Sequence, residues 1–467
     1  MNIHQIYTNC LAQGAYYISH NGEAAIIDPL RETTPYLDLL RKNKDTLKYI
    51  FETHFHADFV SGHLDLAKET GATIVFGPNA HTDYASYIAH DNEEFKIGDL
   101  TIRALHTPGH TLESTTYLLT DAQQKPLCIF TGDTLFIGDV GRPDLAIKSN
   151  LTQEDLAGML YESLRSKIMP LPDDVIVYPA HGAGSACGKN MSKETSDTLG
   201  HQKKTNYALQ NISKQEFITE LTTGILPAPQ YFAKNASLNK SGYQNYDAVL
   251  KKGSVALTVK EFESIREKRN AILLDVRTSA DFARGHIPGA LFIGLDGQFA
   301  PWVGTLITDL NSPILLITPE GREEETVMRL ARVGYDNCLG YLSGGVKSWE
   351  LANKPVETVM SISPENFIDK LTITKNILDV RKPGEFETSH LKVATNAPLD
   401  FISDWVNTLD RSNPYLVHCA GGYRSMVAIS IMLANGFKNL TDVQGGFGAI
   451  SKLEKASPEI VSEVVSA

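Results

Sequence analysis

Two groups of side chains in this sequence have the types and spacings of reactive sites. The first begins at Thr53-His54-Phe55-His56-Ala57-Asp58, where two imidazoles and a carboxylate at alternate positions bring three donors to one loop. Imidazole with carboxylate suits zinc, iron or manganese. His110 follows the turn-forming Thr107-Pro108-Gly109, Asp133 follows Thr131-Gly132, and His181 follows Pro179-Ala180. Any one such histidine is ordinarily a hydrogen-bonded structural residue; the ordered set is what points to a metal. The second group is Cys419-Ala420-Gly421-Gly422-Tyr423-Arg424. Paired glycines let the backbone curl so that successive N–H groups face the sulfur, the helix that follows adds the positive end of its dipole, and Arg424 adds a full charge. All three favour a thiolate at Cys419 and a loop able to cradle a persulfide.

These residues need rigid elements beneath them. Apolar, strand-like runs end at Tyr49-Ile50-Phe51, Leu127-Cys128-Ile129-Phe130 and Val175-Ile176-Val177-Tyr178, each just ahead of a candidate ligand. Ligands at the ends of several strands converge on one edge of a sheet. A helix is expected from about 151 to 166, capped by Asn150 or Thr152. From 214 to 252 the pattern weakens into a connecting segment whose Tyr231, Phe232, Tyr243 and Tyr246 should pack onto a domain. Beyond it lies a repeat: Leu273-Leu274-Asp275-Val276-Arg277 answers Ile377-Leu378-Asp379-Val380-Arg381, and Gly344-Gly345 answers Gly445-Gly446. Each copy alternates short apolar strands with helical stretches, the pattern of an α/β unit with a parallel sheet. Leu416-Val417-His418 reads as the strand that delivers Cys419.

The ordered donors resemble the metallo-β-lactamase superfamily, which implies an αββα sandwich over residues 1–213. In the dinuclear hydrolases of that superfamily the position after Asp58 is usually a histidine for a second metal; here it is Phe59, which cannot ligate. His54, His110 and Asp133 then form a 2-His-1-carboxylate face with open positions. The string from His54 to His63, with Gly138-Asp139-Val140-Gly141-Arg142-Pro143-Asp144, resembles persulfide dioxygenases. That resemblance implies one Fe(II) per chain on His54, His110 and Asp133, with His56, Asp58 and His181 orienting ligands or substrate. Arg142 is a candidate contact for an anionic part of the thiol carrier, its alternative being an ion pair with Asp139 or Asp144. Cys187, in the glycine-rich loop 182–189, is a candidate substrate contact whose thiolate Lys189 would favour; the alternative is a small buried residue. Residues 357–467, with Asp379-Val380-Arg381, His390 and the Cys419–Arg424 loop, resemble rhodaneses. Residues 253–356 share that frame, yet their loop reads Ile317-Thr318-Pro319-Glu320-Gly321-Arg322-Glu323-Glu324 without a cysteine, so this copy is expected to be silent. The whole is an α/β multidomain chain resembling bacterial persulfide dioxygenase–rhodanese fusions.

The 467 residues carry a net charge of −12, which argues against a nucleic-acid surface. No apolar run approaches the ~18 residues of a membrane span, and no signal segment opens the chain. Five scattered cysteines fit a reducing cytoplasm. The implied reaction takes a small thiol persulfide or polysulfide and O2 to sulfite, and Cys419 transfers a second sulfane sulfur to give thiosulfate. Large α/β enzymes of this kind commonly form dimers or tetramers. Two other readings stay open: a dinuclear thioesterase of the glyoxalase II type, and a persulfide-binding sensor or docking role for the repeated domains.

Overall fold

The computed structural model describes residues 1–145, 151–225, 228–370, 376–453 and 461–463. They form two compact units, Met1–Ala248 with Leu330–Tyr335, and Val249–Arg329 with Asp336–Ala467.

In the first unit two six-stranded sheets face each other. The first runs in chain order through Asn2–Thr8, Gln13–His20, Glu23–Ile27, Thr46–Phe51, Thr73–Phe76 and Tyr87–Ile88. The second is ordered Asp197–Thr198, Ile176–Pro179, Pro126–Gly132, Thr115–Thr120, Leu100–His106, Glu94–Ile97. Strand residues alternate between faces, and the inward aromatic ones meet between the sheets, Phe51 against Tyr117 at 4.7 Å and Tyr16 against Phe130 at 4.9 Å. Helices Thr34–Asn43 and His63–Thr70 cover the outer face of the first sheet, burying Tyr36, Leu40 and Leu66. Gln153–Ser163 and Lys214–Thr222 cover the second through Leu156, Leu160, Phe217 and Leu221. This is the expected αββα sandwich. The helix expected over 151–166 begins at Gln153 because Thr152 forms a reciprocal capping box with Asp155, and it runs into a wider π turn, Leu164–Ile168; Asn150 lies outside the described residues.

The second unit holds two five-stranded sheets of identical order and wholly parallel pairing. One is Ala256–Leu257, Cys338–Leu342, Ile314–Ile317, Ile272–Asp275, Leu291–Phe292; the other is Met360–Ile362, Leu440–Val443, Tyr415–His418, Ile377–Asp379, Thr395–Asn396. The repeated motif residues do the same work in both. Arg277 forks onto Asp275 and Arg381 onto Asp379, while His286 stacks on Phe282 at 4.0 Å and His390 on Phe386 at 3.8 Å. These pairs hold the frame and leave the chemistry to the loops.

Candidate metal centre and cysteine loop

His54, His110 and Asp133 leave three different strands and converge. Their ligand atoms lie within 4.8 Å of one another, and all three residues are buried. Asp133 Oδ2 stands 3.4 Å from His110 Nε2 and 3.9 Å from His54 Nε2. Two ligands each ~2.1 Å from one ion at right angles are themselves ~3 Å apart, so the spacing fits a shared ion. Both imidazoles are oriented from behind. Thr53 Oγ1 donates to Asp28 Oδ2 at 2.8 Å, so it can only accept from His54 Nδ1 at 2.9 Å. His110 Nδ1 donates to the Arg142 carbonyl at 2.8 Å. Each Nε2 is thereby left as a lone pair facing the centre. Asp133 Oδ2 is buried and accepts no hydrogen bond among the described residues, a cost of several kcal/mol for a carboxylate without a cation. The donor set and this orphaned oxygen fit a metal.

Asp133 Oδ1 takes His181 Nδ1 at 2.8 Å, and His181 Nε2 meets Asp58 Oδ2 at 2.8 Å. Against the pull of burial, the carboxylates of Asp133 and Asp58 raise the His181 pKa well above the usual histidine range, and the imidazoles of His181 and His110 hold Asp133 well below the carboxylate range. Burial, with His56 next to it, lowers His54. His56 turns the other way. Its Nε2 lies 3.1 Å from Asp28 and 3.6 Å from Glu52, and its ring rests on Phe59 at 4.3 Å. Asp28 and Glu52 were not among the expected site residues, although both stand at strand ends, the position that identified the others.

Cys187 joins Asp58 and His181 in a second buried cluster with ligand atoms within 4.8 Å. The donor withheld at Phe59 is thus matched by a thiol from another loop, which the sequence argument from Phe59 did not count. Lys189 does not activate Cys187: its ammonium caps the carbonyls of Glu220 and Thr223. Burial, then Asp58 and Asp133, push the Cys187 thiol up instead. The guanidinium of Arg142 forks onto Asp144 at 2.6 and 2.7 Å, the ion-pair alternative, and its backbone joins His110 to Cys187, whose carbonyl accepts the Arg142 N–H at 3.0 Å. The 214–252 segment belongs to this unit as far as Ala248. Its Asn239 donates to the carbonyls of His56 and Phe59 and accepts from Ser61 N–H, clamping the ligand loop.

In the second unit, strand Tyr415–His418 delivers Cys419, and helix Tyr423–Ala434 follows. The Gly422 N–H points at Sγ from 3.1 Å, and the thiol faces Ser425 Oγ at 3.8 Å. Phe447 N–H and Gly448 N–H bind the carbonyls of Cys419 and Ala420 from behind. A Cβ on Gly446 would meet only backbone, 2.3 Å from the Cys419 oxygen and 2.9 Å from the carbonyl carbons of Cys419 and Ala420, so glycine at 446 is a requirement of the loop's support. The expected full charge of Arg424 is shared: its guanidinium forks onto Glu385 at 2.6 and 2.8 Å. A cavity of about 560 Å³ borders Gly421 and Gly422 on one side and Ser279, Ala283 and Arg284 of the preceding copy on the other. Register identifies what that copy lacks. Asp275 pairs with Ile317 as Asp379 pairs with His418, so Thr318 occupies the place of Cys419 and Glu323 that of Arg424. Cys338 opens a strand, its thiol pushed up to about 12 by burial.

Against known proteins, the model of the metallo-beta-lactamase superfamily matches residues 9–181, and that of the rhodanese-like domain matches 258–352 and again 363–453. A crystal structure of a metallo-beta-lactamase from Staphylococcus aureus is 30% identical with a TM-score of 0.64, covering 73% of this chain and 98% of that one. A probable hydroxyacylglutathione hydrolase of Schizosaccharomyces pombe is 33% identical over 38% of this chain and 67% of its own length. The mitochondrial persulfide dioxygenase of Homo sapiens is 30% identical over 44% of this chain and 74% of its own. The chain belongs to the metallo-beta-lactamase superfamily and continues into two rhodanese-like domains. Among the described residues no helix is long and apolar enough to cross a membrane.

Proposed function

We propose that the chain is an iron-dependent persulfide dioxygenase joined to a sulfurtransferase. The observation that carries this reading is the face of His54, His110 and Asp133, two imidazoles and one carboxylate pre-oriented toward one point, on a chain that also holds a cysteine with an amide N–H at its sulfur. Iron bound there would supply the one-electron steps that let O2 react with a sulfur nucleophile. The net change is RSSH + O2 + H2O to RSH, sulfite and two protons. Thr53 and the Arg142 carbonyl fix the two imidazoles, and Asn239 fixes the loop that carries Asp58. The His181 imidazole, bridging Asp58 through Nε2 and Asp133 through Nδ1, holds a proton against the carboxylate that would bind the iron. At the second site the Cys419 thiolate attacks the outer sulfur of another persulfide, the S–S bond breaks and RSH leaves. Sulfite then attacks the outer sulfur on Cys419, releasing thiosulfate and restoring the thiolate. O2 uptake by iron-loaded protein with a small-thiol persulfide, and none by Asp133→Ala, is the expected result. Uptake by neither, at full iron occupancy, would refute it.

One observation favours a second reading. Asp58, His181 and Cys187 offer donors for a second ion beside the first, as a dinuclear thioesterase needs. Metal content decides: one iron per chain fits the oxygenase, and two metals, with the second lost in Cys187→Ser, fit the hydrolase.

A further inference from the structure

The silent copy holds the Cys419 loop at Tyr423. Helix Tyr423–Ala434 turns a face toward the edge strand Leu291–Phe292 of that copy. Tyr423 Oη donates to the Gly294 carbonyl at 2.8 Å, its ring packs on Phe292 with centroids 6.0 Å apart, and two turns later Ser430 Oγ accepts the Phe292 N–H at 3.0 Å. The ring sits in a notch that only glycine leaves open. A Cβ on Gly297 would lie 2.3 Å from a Tyr423 ring carbon, and one on Gly294 3.1 Å. Neither glycine has a positive φ, so space and not backbone conformation is what the notch demands.

The two halves of the Cys419 loop are therefore held from different places. Phe447 and Gly448, of its own domain, fix the carbonyls of Cys419 and Ala420. In the other half Tyr423 is held by the silent copy, and the peptide N–H that reaches the sulfur belongs to Gly422, next to Tyr423. The arrangement is not reciprocal. The counterpart of Tyr423 is Arg322, which spends its guanidinium on Glu325 and Asp296 of its own copy.

We infer that the silent rhodanese-like domain is the mount of the Cys419 loop, and that Tyr423 is the positioning residue through which it aims the Gly422 N–H at the sulfur. This rests on the proposed role of Cys419 in sulfur transfer. Loss of the mount leaves the charged groups around the sulfur in place, Arg424 with Glu385 and Asp442 behind Ser425. What changes is the hydrogen bond that favours the thiolate over the thiol.

The test uses full-length Tyr423→Phe, which keeps the ring and removes the bond to Gly294, and Gly297→Ala, which drives the ring out of its notch. Two readouts are taken: sulfur transfer from thiosulfate to cyanide, split into kcat and KM, and the pH profile of Cys419 alkylation by iodoacetamide, located by mass spectrometry. Both variants should lower kcat about tenfold with little change in KM, the scale of one misdirected hydrogen bond to a charged group, and move the alkylation midpoint to higher pH. Gly297→Ala added to Tyr423→Ala should cost nothing further, because the clash has lost its partner. Unchanged kcat and midpoint in folded Tyr423→Phe and Gly297→Ala, or a further loss in the double variant, overturn the inference. Persistence of cyanide transfer in Cys419→Ser would instead overturn the role of Cys419 itself.

Discussion

Thr53 decides which nitrogen His54 offers to the centre. Its hydroxyl has one proton, given to Asp28, so the imidazole must donate to it through Nδ1 and present Nε2. Thr53→Val keeps the shape and removes this instruction. Metal affinity should fall ~10–100-fold, the usual effect of losing such an orienting group, as measured by competition with a chromophoric chelator; unaltered affinity would mean that packing alone aligns the ring. Stripping the metal from the parent leaves Asp133 Oδ2 buried without a partner, so the melting temperature of the chelated protein should drop and recover with added iron. At this scale the sequence was informative wherever a candidate site residue stands a few residues past a strand. His54, His110, Asp133 and His181 were all legible for that reason. Cys187 was legible as a thiol but not as a neighbour of Asp58, since the loop that folds it back has no periodicity to read. Arg142 carried two readings, and only the position of Asp144 separated them.

At the scale of elements, the strands were legible because their apolar runs are short, continuous and closed by turn residues, whereas the 214–252 segment was not. Its tyrosines promised packing, but no local pattern says that Asn239, about 180 residues from His56, would clamp the ligand loop. That clamp satisfies two carbonyls and one N–H in a buried place. Asn239→Leu leaves all three without a partner, for which ~2–4 kcal/mol of lost stability is expected by urea denaturation, together with a lower metal content because the loop bearing His54, His56 and Asp58 loosens. A loss of stability with full metal occupancy would show that the clamp serves the fold and not the centre.

For the whole molecule, the two rhodanese-like domains share one strand order, one Asp–Arg fork and one His–Phe stack apiece, but only the second carries a cysteine, Cys419, at the start of its loop. The register shows that the loop of the middle domain differs from the Cys419 loop at several positions at once. Thr318 stands at the position of Cys419, Pro319 and Glu320 follow it where Ala420 and Gly421 follow Cys419, and Glu323 stands at the position of Arg424. Proline has no N–H to give, and a carboxylate at the guanidinium position repels an anionic sulfur where Arg424 attracts it. Installing the thiol alone should therefore fail. In a Cys419→Ser background, Thr318→Cys should leave cyanide sulfurtransfer at the level of Cys419→Ser, and its alkylation midpoint should lie well above that of Cys419 in the parent. Adding Pro319→Ala, Glu320→Gly and Glu323→Arg should lower that midpoint and return measurable transfer. If Thr318→Cys alone restored activity, the loop environment would matter less than the frame, and the distinction between the two copies would reduce to one sulfur atom.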